Sequence, residues 1–481
     1  MLRDVKHIIR DGLLGFSTPT GDGLSVKIGA SPVVSGAPVI ITGDMDASKI
    51  RQRLGLSPLA DAAMDAVQGG AARIFCFPVA ASTPGTVSQV QKTGGGSGSL
   101  TVEGSPANAF EAAVEITAQG GLNTAAFRFS INGGHSFSDE ITVPVSGIYA
   151  LEGTGLTLQF AEALEEAQPP GSFLAGDAFR FSTTAPAMTN GDVLAVLDKL
   201  KTFTQEFEFI HIVGGSSYPL WQAVSEAQKE LMNVCHKPAF VLLEAAFPTA
   251  DEDGGLHDWA FQMAADRKKI RNTDIQVCAA WGRLVRLDGS TQTANLAGLV
   301  SGRYAMAPVQ VSIGKTQPEE GYGFSDTLLA ELLPAGYDDS IIEILDVAGY
   351  LTFRKYDGLD GLYVYHTKMM CPDNSDYRYA EDVRVRNKIV RETRKKALSF
   401  KNDDIDLEDI QGELEARAKF IAAPLDRMVD HKEINAYEII VLDGHEKTFL
   451  EDETMRVKIR YLSRGYIREI EIDLGRAPAN A

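Results

Sequence analysis

What most limits the fold of this chain is a rhythm of wholly apolar strands alternating with amphipathic helices. "APVIITG" (37–43) leads to the helical "SPLADAAMDAVQGG" (57–70), which ends on glycine, and then to the buried-looking strand "ARIFCFPV" (72–79). The alternation returns after Thr189 as the helix "GDVLAVLDKLKT", the strand "FEFIHIVGG", the helix "PLWQAVSEAQKELMNVCHK" and the strand "PAFVLLEA". The helix "LHDWAFQMAADRKKI" and the strand "DIQVCAAWGRLVR" continue it. Strands without a polar side need cover on both faces, and helices supply it when the sheet between them is largely parallel.

Between its two halves the rhythm breaks. "STPGTVSQVQKTGGGSGSLTVEGSPAN" is rich in Gly, Ser and Thr. "AAFRFSINGGHSFSDEITVPV" then carries two alternating runs around Asn132-Gly133, a hairpin signal, and "TGLTLQF" and "DAFRFST" add strands. Residues 95–185 therefore read as a sandwich-like all-β domain inserted into the α/β domain of 36–94 and 186–371. Residues 372–464 read as α+β, with a helix "YAEDVRVRNKIVRETRKKALSF", the acidic "KNDDIDLEDIQGELEARAKFI", and strands at "AYEIIVLD" and "MRVKIRYL". Two arms complete the plan. Residues 1–35 hold short strand candidates at Val5–Ile9 and Ser25–Ile28, and 465–481 hold "YIREIEIDL", where apolar and charged residues alternate strictly.

With 481 residues the chain is long enough for about two to four domains. Its net charge of −19 sets it against phosphate backbones, so nucleic acid is not an expected partner. The N-terminus "MLRDVKHIIRDGLLG" is too charged for a signal-peptide core, and no apolar run has bilayer-spanning length, so a soluble protein made in the cytoplasm is expected. The four cysteines lack any CxxC spacing, and Cys76 and Cys278 sit in strand-like runs as small core residues.

Catalytic and metal motifs are missing or incomplete. In "HIVGGSSYPLW", glycines and Ser216-Ser217 stand between a strand and a helix, a place suited to phosphate binding or to a nucleophile. Neither GxSxG nor GxGxxG is present, so a βα turn with a Ser cap is the plainer reading. "VQVSIGKT" ends like a P-loop, but the first glycine of that motif is replaced by Val309. His211 lies inside an apolar strand and reads as a hydrogen-bonded core histidine. "NDDIDLEDI" lacks the glycine of an EF-hand and reads as a solvated acidic turn opening a helix. No catalytic, cofactor or metal residues are assigned. The rival to a structural protein is an α/β hydrolase using Ser216 or Ser217, with the β insertion as a binding module.

Two features stand out. Between Val383 and Lys401 eight basic residues (Arg384, Arg386, Lys388, Arg391, Arg394, Lys395, Lys396, Lys401) face the single acid Glu392. They form a solvated face, a face paired with the acids of 403–415, or a docking face for an acidic protein. The second feature is the pair of chain ends, each with strand patterning beside flexible sequence, which suits pairing with another chain.

The stretches "SIIEILDVAGYLTFRKYDGLDGLYVYHTKMM", "VRVRNKIVRETRKKAL", the closing "KIRYLSRGYIREIEIDL" and, more weakly, "DVKHIIRDGLLG" at the start together resemble the contractile tail sheath family of phages and phage-like injection systems. It implies a non-enzymatic subunit, without cofactor, that forms hexameric rings stacked as a helical sheath around an inner tube. Baseplate and tail terminator proteins are the further partners it implies, and the virion tail, assembled in the host bacterial cytoplasm, is the implied location. Contraction in this family releases a metastable state and needs no ATP. By the same resemblance Val5, Ile8, Ile467, Ile470, Ile472 and Leu474 would exchange strands between subunits, with Gly12, Gly15, Gly465, Gly475 and Pro478 near the hinges. Arg384, Lys388, Arg391, Arg394 and Lys395 would contact the tube, and the β insertion would face outward.

Overall fold

A computed structural model describes residues 21–163, 172–248, 255–317, 320–440 and 445–476. The chain divides into two compact units, Met1–Lys388 and Ile389–Ala481.

The first unit is built on strands β1 (Ser25–Ala30), β2 (Val39–Thr42) and β3 (Arg73–Val79) with helices α1 (Ala47–Leu54) and α2 (Pro58–Gly69). Eight further strands follow: β4 (Gln91–Thr93), β5 (Ser99–Gly104), β6 (Glu111–Ala118), β7 (Ala126–Ser130), β8 (Ile141–Thr142), β9 (Ile148–Leu151), β10 (Leu156–Ala161) and β11 (Ala178–Ser182). The α/β pattern resumes with α3 (Asn190–Thr202), β12 (Phe209–Ser216), α4 (Tyr218–Asn233), β13 (Phe240–Ala245), α5 (Gly255–Arg267) and β14 (Ile275–Cys278). Then come β15 (Trp281–Val285), β16 (Thr291–Asn295), α6 (Ala297–Met306), β17 (Leu329–Leu333), α7 (Asp339–Ala348), β18 (Phe353–Lys355), β19 (Leu362–Val364) and α8 (Ala380–Ala397). The chain passes from the first unit to the second within α8.

The main sheet has six strands in the order β14-β13-β12-β1-β3-β2, parallel throughout except for the edge strand β2. One face buries Val26, Ile28, Phe75, Ile210 and Val241 under α3, α4, α5 and α7. The other packs α1 and α2 over Ile41, Ile74 and Cys76, and α6 over Phe209, Phe240 and Leu242. The helices start and stop where their sequences say. Ser57 Oγ accepts the Ala60 N–H and Pro58 sits in the first turn, while Gly70 closes α2 at φ +111°. A side chain on Gly302 would lie 2.2 Å from the Ala66 carbonyl, so α2 and α6 pack backbone to backbone through small residues.

Three expectations need correction. Ser25–Ala30 is not part of an extended arm: β1 lies between β3 and β12 at the centre of the sheet and is buried along its whole length. Its partners are distant in sequence, so nothing local marks it as core. "DIQVCAAWGRLVR" is two strands, because Ala279 and Ala280 carry the chain from the parallel sheet into an antiparallel one ordered β16-β15-β17. The runs flanking Asn132-Gly133 do pair, but β7 ends at Ser130 and β8 begins at Ile141. Ser130 and Asn132 side chains organise a wide loop there, in place of a two-residue turn.

The eight strands from β4 to β11 form two antiparallel sheets, β4-β11-β6-β7-β8 and β5-β10-β9, around a shared core of Phe127, Phe160, Phe173 and Phe179. The chain enters and leaves this part through bridges Thr83–Ala187 and Val87–Thr183. At its base Asn108 Nδ2 donates to Asp61 of α2 at 2.7 Å, and Asp61 and Asp65 hold the buried Arg286 at 2.8 and 2.9 Å.

The second unit contains α9 (Ile410–Asp430), the antiparallel pair β20 (Ala436–Ile440) and β21 (Lys458–Leu462), and α10 (His445–Asp452). Asp409 caps α9 by accepting the Gly412 N–H, so the acidic run opens a helix as expected. No helix among the described residues is long and apolar enough to cross a membrane.

Candidate assembly surfaces

The C-terminal segment is the most exposed apolar sequence described. Beyond β21 no residue of 463–476 belongs to a strand, and Ile467, Ile470, Ile472 and Leu474 are 83%, 75%, 82% and 92% exposed. Four large aliphatic side chains open to water are unfavourable unless something covers them. The neighbouring β20–β21 ribbon has two strands only, so the outer edge of each lacks a strand partner among the described residues. Val5 and Ile8, the other expected strand-exchange residues, lie outside the described residues.

The basic run on α8 divides into buried and accessible parts. Arg384 is fully buried and bonded on every side. It pairs with Glu208 through Nε and through Nη2 at 3.2 Å, and Nη2 also donates to the carbonyls of Tyr304 at 2.7 Å and Ala307 at 2.9 Å. Its guanidinium also stacks over the Tyr304 ring. Arg384 is therefore a core residue that satisfies the last carbonyls of α6, and its assignment as a tube contact is corrected. A one-dimensional pattern cannot reveal this, because the counter-ion Glu208 lies far away in sequence. Lys388 is buried too and pairs with Asp22 at 2.7 Å, and Arg391 is buried. Arg386 bonds Asp274 and Thr273. Arg394 and Lys395 remain partly exposed, with Lys395 3.0 Å from Glu392. Of the acids of 403–415, Asp403 and Glu413 pair with Arg417, and Asp409 caps α9.

The two residues weighed as nucleophiles are not equipped as such. Ser216 is buried, donates to the Glu244 carbonyl at 2.5 Å and accepts from Trp221 Nε1 at 2.8 Å, with no base beside it. Ser217 occupies the cap position of α4 without a side-chain cap bond. His211 is a core histidine, held between Lys27 and Glu244. Burial pushes Lys27 down to about 8 and Glu244 up to about 7, and burial with the nearby Lys27 charge holds His211 well below its ordinary value. Lys315 of the GKT sequence pairs with Glu320. Burial raises the Cys76 thiol to about 12, so it is inert.

Family models match almost the whole chain: the DUF2586 N-terminal domain over residues 2–366 and the DUF2586 C-terminal domain over 376–480. No curated protein sequence matches. Among solved structures, the chain is similar to a sheath tail protein from Desulfitobacterium hafniense, with TM-score 0.50, 15% identity and coverage of 92% of this chain and 93% of the other. It is also similar to the sheath of an extracellular contractile injection system, PVC, in the contracted state, with TM-score 0.53, 10% identity and 99% coverage of both chains. A chain of the anti-feeding prophage baseplate in the contracted state matches with TM-score 0.51, 11% identity and coverage of 98% and 97%. At these identities the likeness establishes a shared fold.

Proposed function

The chain belongs to the DUF2586 family and has the fold of contractile sheath proteins, and from this we propose that it is a sheath subunit. Copies stack as hexameric rings into a helical sheath around an inner tube, on a baseplate and under a tail terminator. Contraction drives the tube into the target envelope. The role is structural, the site of action is the tail, and assembly takes place in the host cytoplasm.

One observation carries the reading: the alternating segment of Ile470, Ile472 and Leu474 is uncovered among the described residues, beside a ribbon that has two strands there. A second copy supplies both the missing cover and the missing strand partner. Backbone pairing tolerates rigid-body movement of the domains it joins, which a lattice that slides and widens requires. Val5 and Ile8 would make the equivalent contact from the other chain end. Arg394 and Lys395 are the tube contacts that burial leaves open to the proposal.

Electron microscopy of the purified protein tests this reading. Long hollow tubes or stacked rings are expected, and a protein that stays monomeric at high concentration would refute it.

A further inference from the structure

Four side chains meet close to the first described residues and to the point on α8 where the first unit ends. Glu208, immediately before β12, is fully buried. Its Oε2 accepts the Gly23 N–H at 2.6 Å, and both its oxygens accept from Arg384 on α8. Its own N–H donates to the Leu24 carbonyl at 2.8 Å. One turn of α8 further on, Lys388 pairs with Asp22 at 2.7 Å. Lys388 is also the last residue of the first unit. Gly23 has φ +72°, and a Cβ there would lie 2.4 Å from the Ala305 carbonyl, so only glycine lets residues 22–24 run this close to the end of α6.

We propose that Asp22, Glu208, Arg384 and Lys388 form a mechanical clamp. It receives tension from the N-terminal segment and passes it to α8, so that β1 is not loaded. The inference rests on the reading of that segment as a link between subunits. Without the clamp, a pull on the N-terminus would act along β1, whose ladders to β3 and β12 hold the central sheet together. With it, the load meets charge-assisted bonds, partly exposed at Asp22–Lys388 and fully buried at Glu208–Arg384, before it reaches Ser25, and the way out is the helix that carries the chain onward. Charge-assisted bonds of this kind are the stronger class and suit such a load. Buried pairs are an inefficient way to add stability, which leaves a positional role as their better explanation.

Single-molecule pulling on the full monomeric chain tests this without any polymer, so its outcome is independent of the sheath reading. Handles are placed at the N-terminus and at Lys401→Cys, in a Cys235→Ser background. A second axis, Glu152→Cys to Asp357→Cys, avoids the clamp. Because Glu208→Gln would strand a buried guanidinium and risk misfolding, the variants are the double exchange Glu208→Met with Arg384→Met and the milder Asp22→Asn. Rupture force along the first axis should be roughly twofold lower in both variants, with the second axis unchanged. Unchanged force along the first axis, or an equal fall along both axes, would overturn the proposal, since the residues would then only stabilise the fold.

Discussion

Lys27 and His211 stand opposite each other on adjacent parallel strands, with Lys27 Nζ 2.5 Å from His211 Nδ1. An ammonium group only donates, so Nδ1 must accept, and the ring proton sits on Nε2, 2.9 Å from Glu244 Oε1. Lys27 donates once more, to Ser301 Oγ at 2.8 Å. A cation, a neutral imidazole and a carboxylate thus form a chain across three strands, in a place where no solvent could compensate any one of them.

That chain fixes the outcome of removing its centre. His211→Leu strands Lys27 and Glu244 without their bridge and should destabilise the protein by about 3–5 kcal/mol. The triple exchange Lys27→Met, His211→Leu, Glu244→Leu should recover most of the loss, since hydrophobic replacements of buried charge sets are often neutral. Denaturant midpoints of the two variants, compared with the parent, decide the matter.

Deleting the chain from Gly465 onward removes a segment whose described residues, 465–476, are exposed or half-buried and belong to no strand. Thermal stability should change little, while polymerisation is lost. Tubes formed by the truncated chain would exclude strand exchange at this end.

Reversing charge at Arg394 and Lys395 should weaken co-assembly with an acidic inner tube and leave the sheath-only polymer intact. The effect should shrink as salt is added, because partly exposed charges are screened over about 8 Å at physiological ionic strength. Arg391→Glu should behave differently and lower stability itself, because Arg391 is buried. Co-sedimentation at several salt concentrations, beside melting curves, separates the two effects.

The β insertion should be removable by joining Thr83 to Ala187, the residues its stalk already bridges. A cut at 95–185 would leave β4 behind without its partner β11. The shortened chain should fold, with Asp61 still paired to Arg286, and should assemble. Loss of tubes despite a folded monomer would place the insertion inside the lattice.

Asp346 ties α7 to the segment that follows the β18–β19 hairpin, bonding His366 Nδ1 at 3.0 Å and Lys368 Nζ at 2.7 Å. Although burial opposes it, these partners hold its carboxyl below the ordinary 3.8. A depressed carboxyl contributes stability above its unfolded value and loses it as pH falls through the folded value. Asp346→Asn should therefore cost about 1–3 kcal/mol near pH 7. The difference from the parent should shrink as pH falls below the ordinary carboxyl value of 3.8, which melting curves across pH 2–7 would show.

How much of this was legible depends on whether a pattern is local. The mixed α/β class with a parallel sheet followed from strands such as "PAFVLLEA", because continuous apolarity is local information. The glycine end of α2, at Gly70, was legible for the same reason. The place of β1 was not, since its six buried residues acquire meaning only from β3 and β12. Arg384 failed likewise: the seven basic residues of α8 look alike until Glu208 and the α6 carbonyls single one of them out. Ile470, Ile472 and Leu474 pose the opposite problem. Their pattern is unmistakable, and no surface among the described residues completes it.

The stalk at Thr83–Ala187 also has a consequence for folding kinetics. β3 and α3 are neighbours in the α/β core, but residues 84–186 separate them along the chain. Closing an open loop costs entropy that grows as about (3/2)RT ln n, and long-range parallel pairing forms slowly. Once the insertion has folded, its paired ends bring Thr83 and Ala187 together, and the search for the β1–β12 register shortens accordingly. The insertion thereby acts as a staple that forms early, and the core sheet need not find its halves across an unfolded loop.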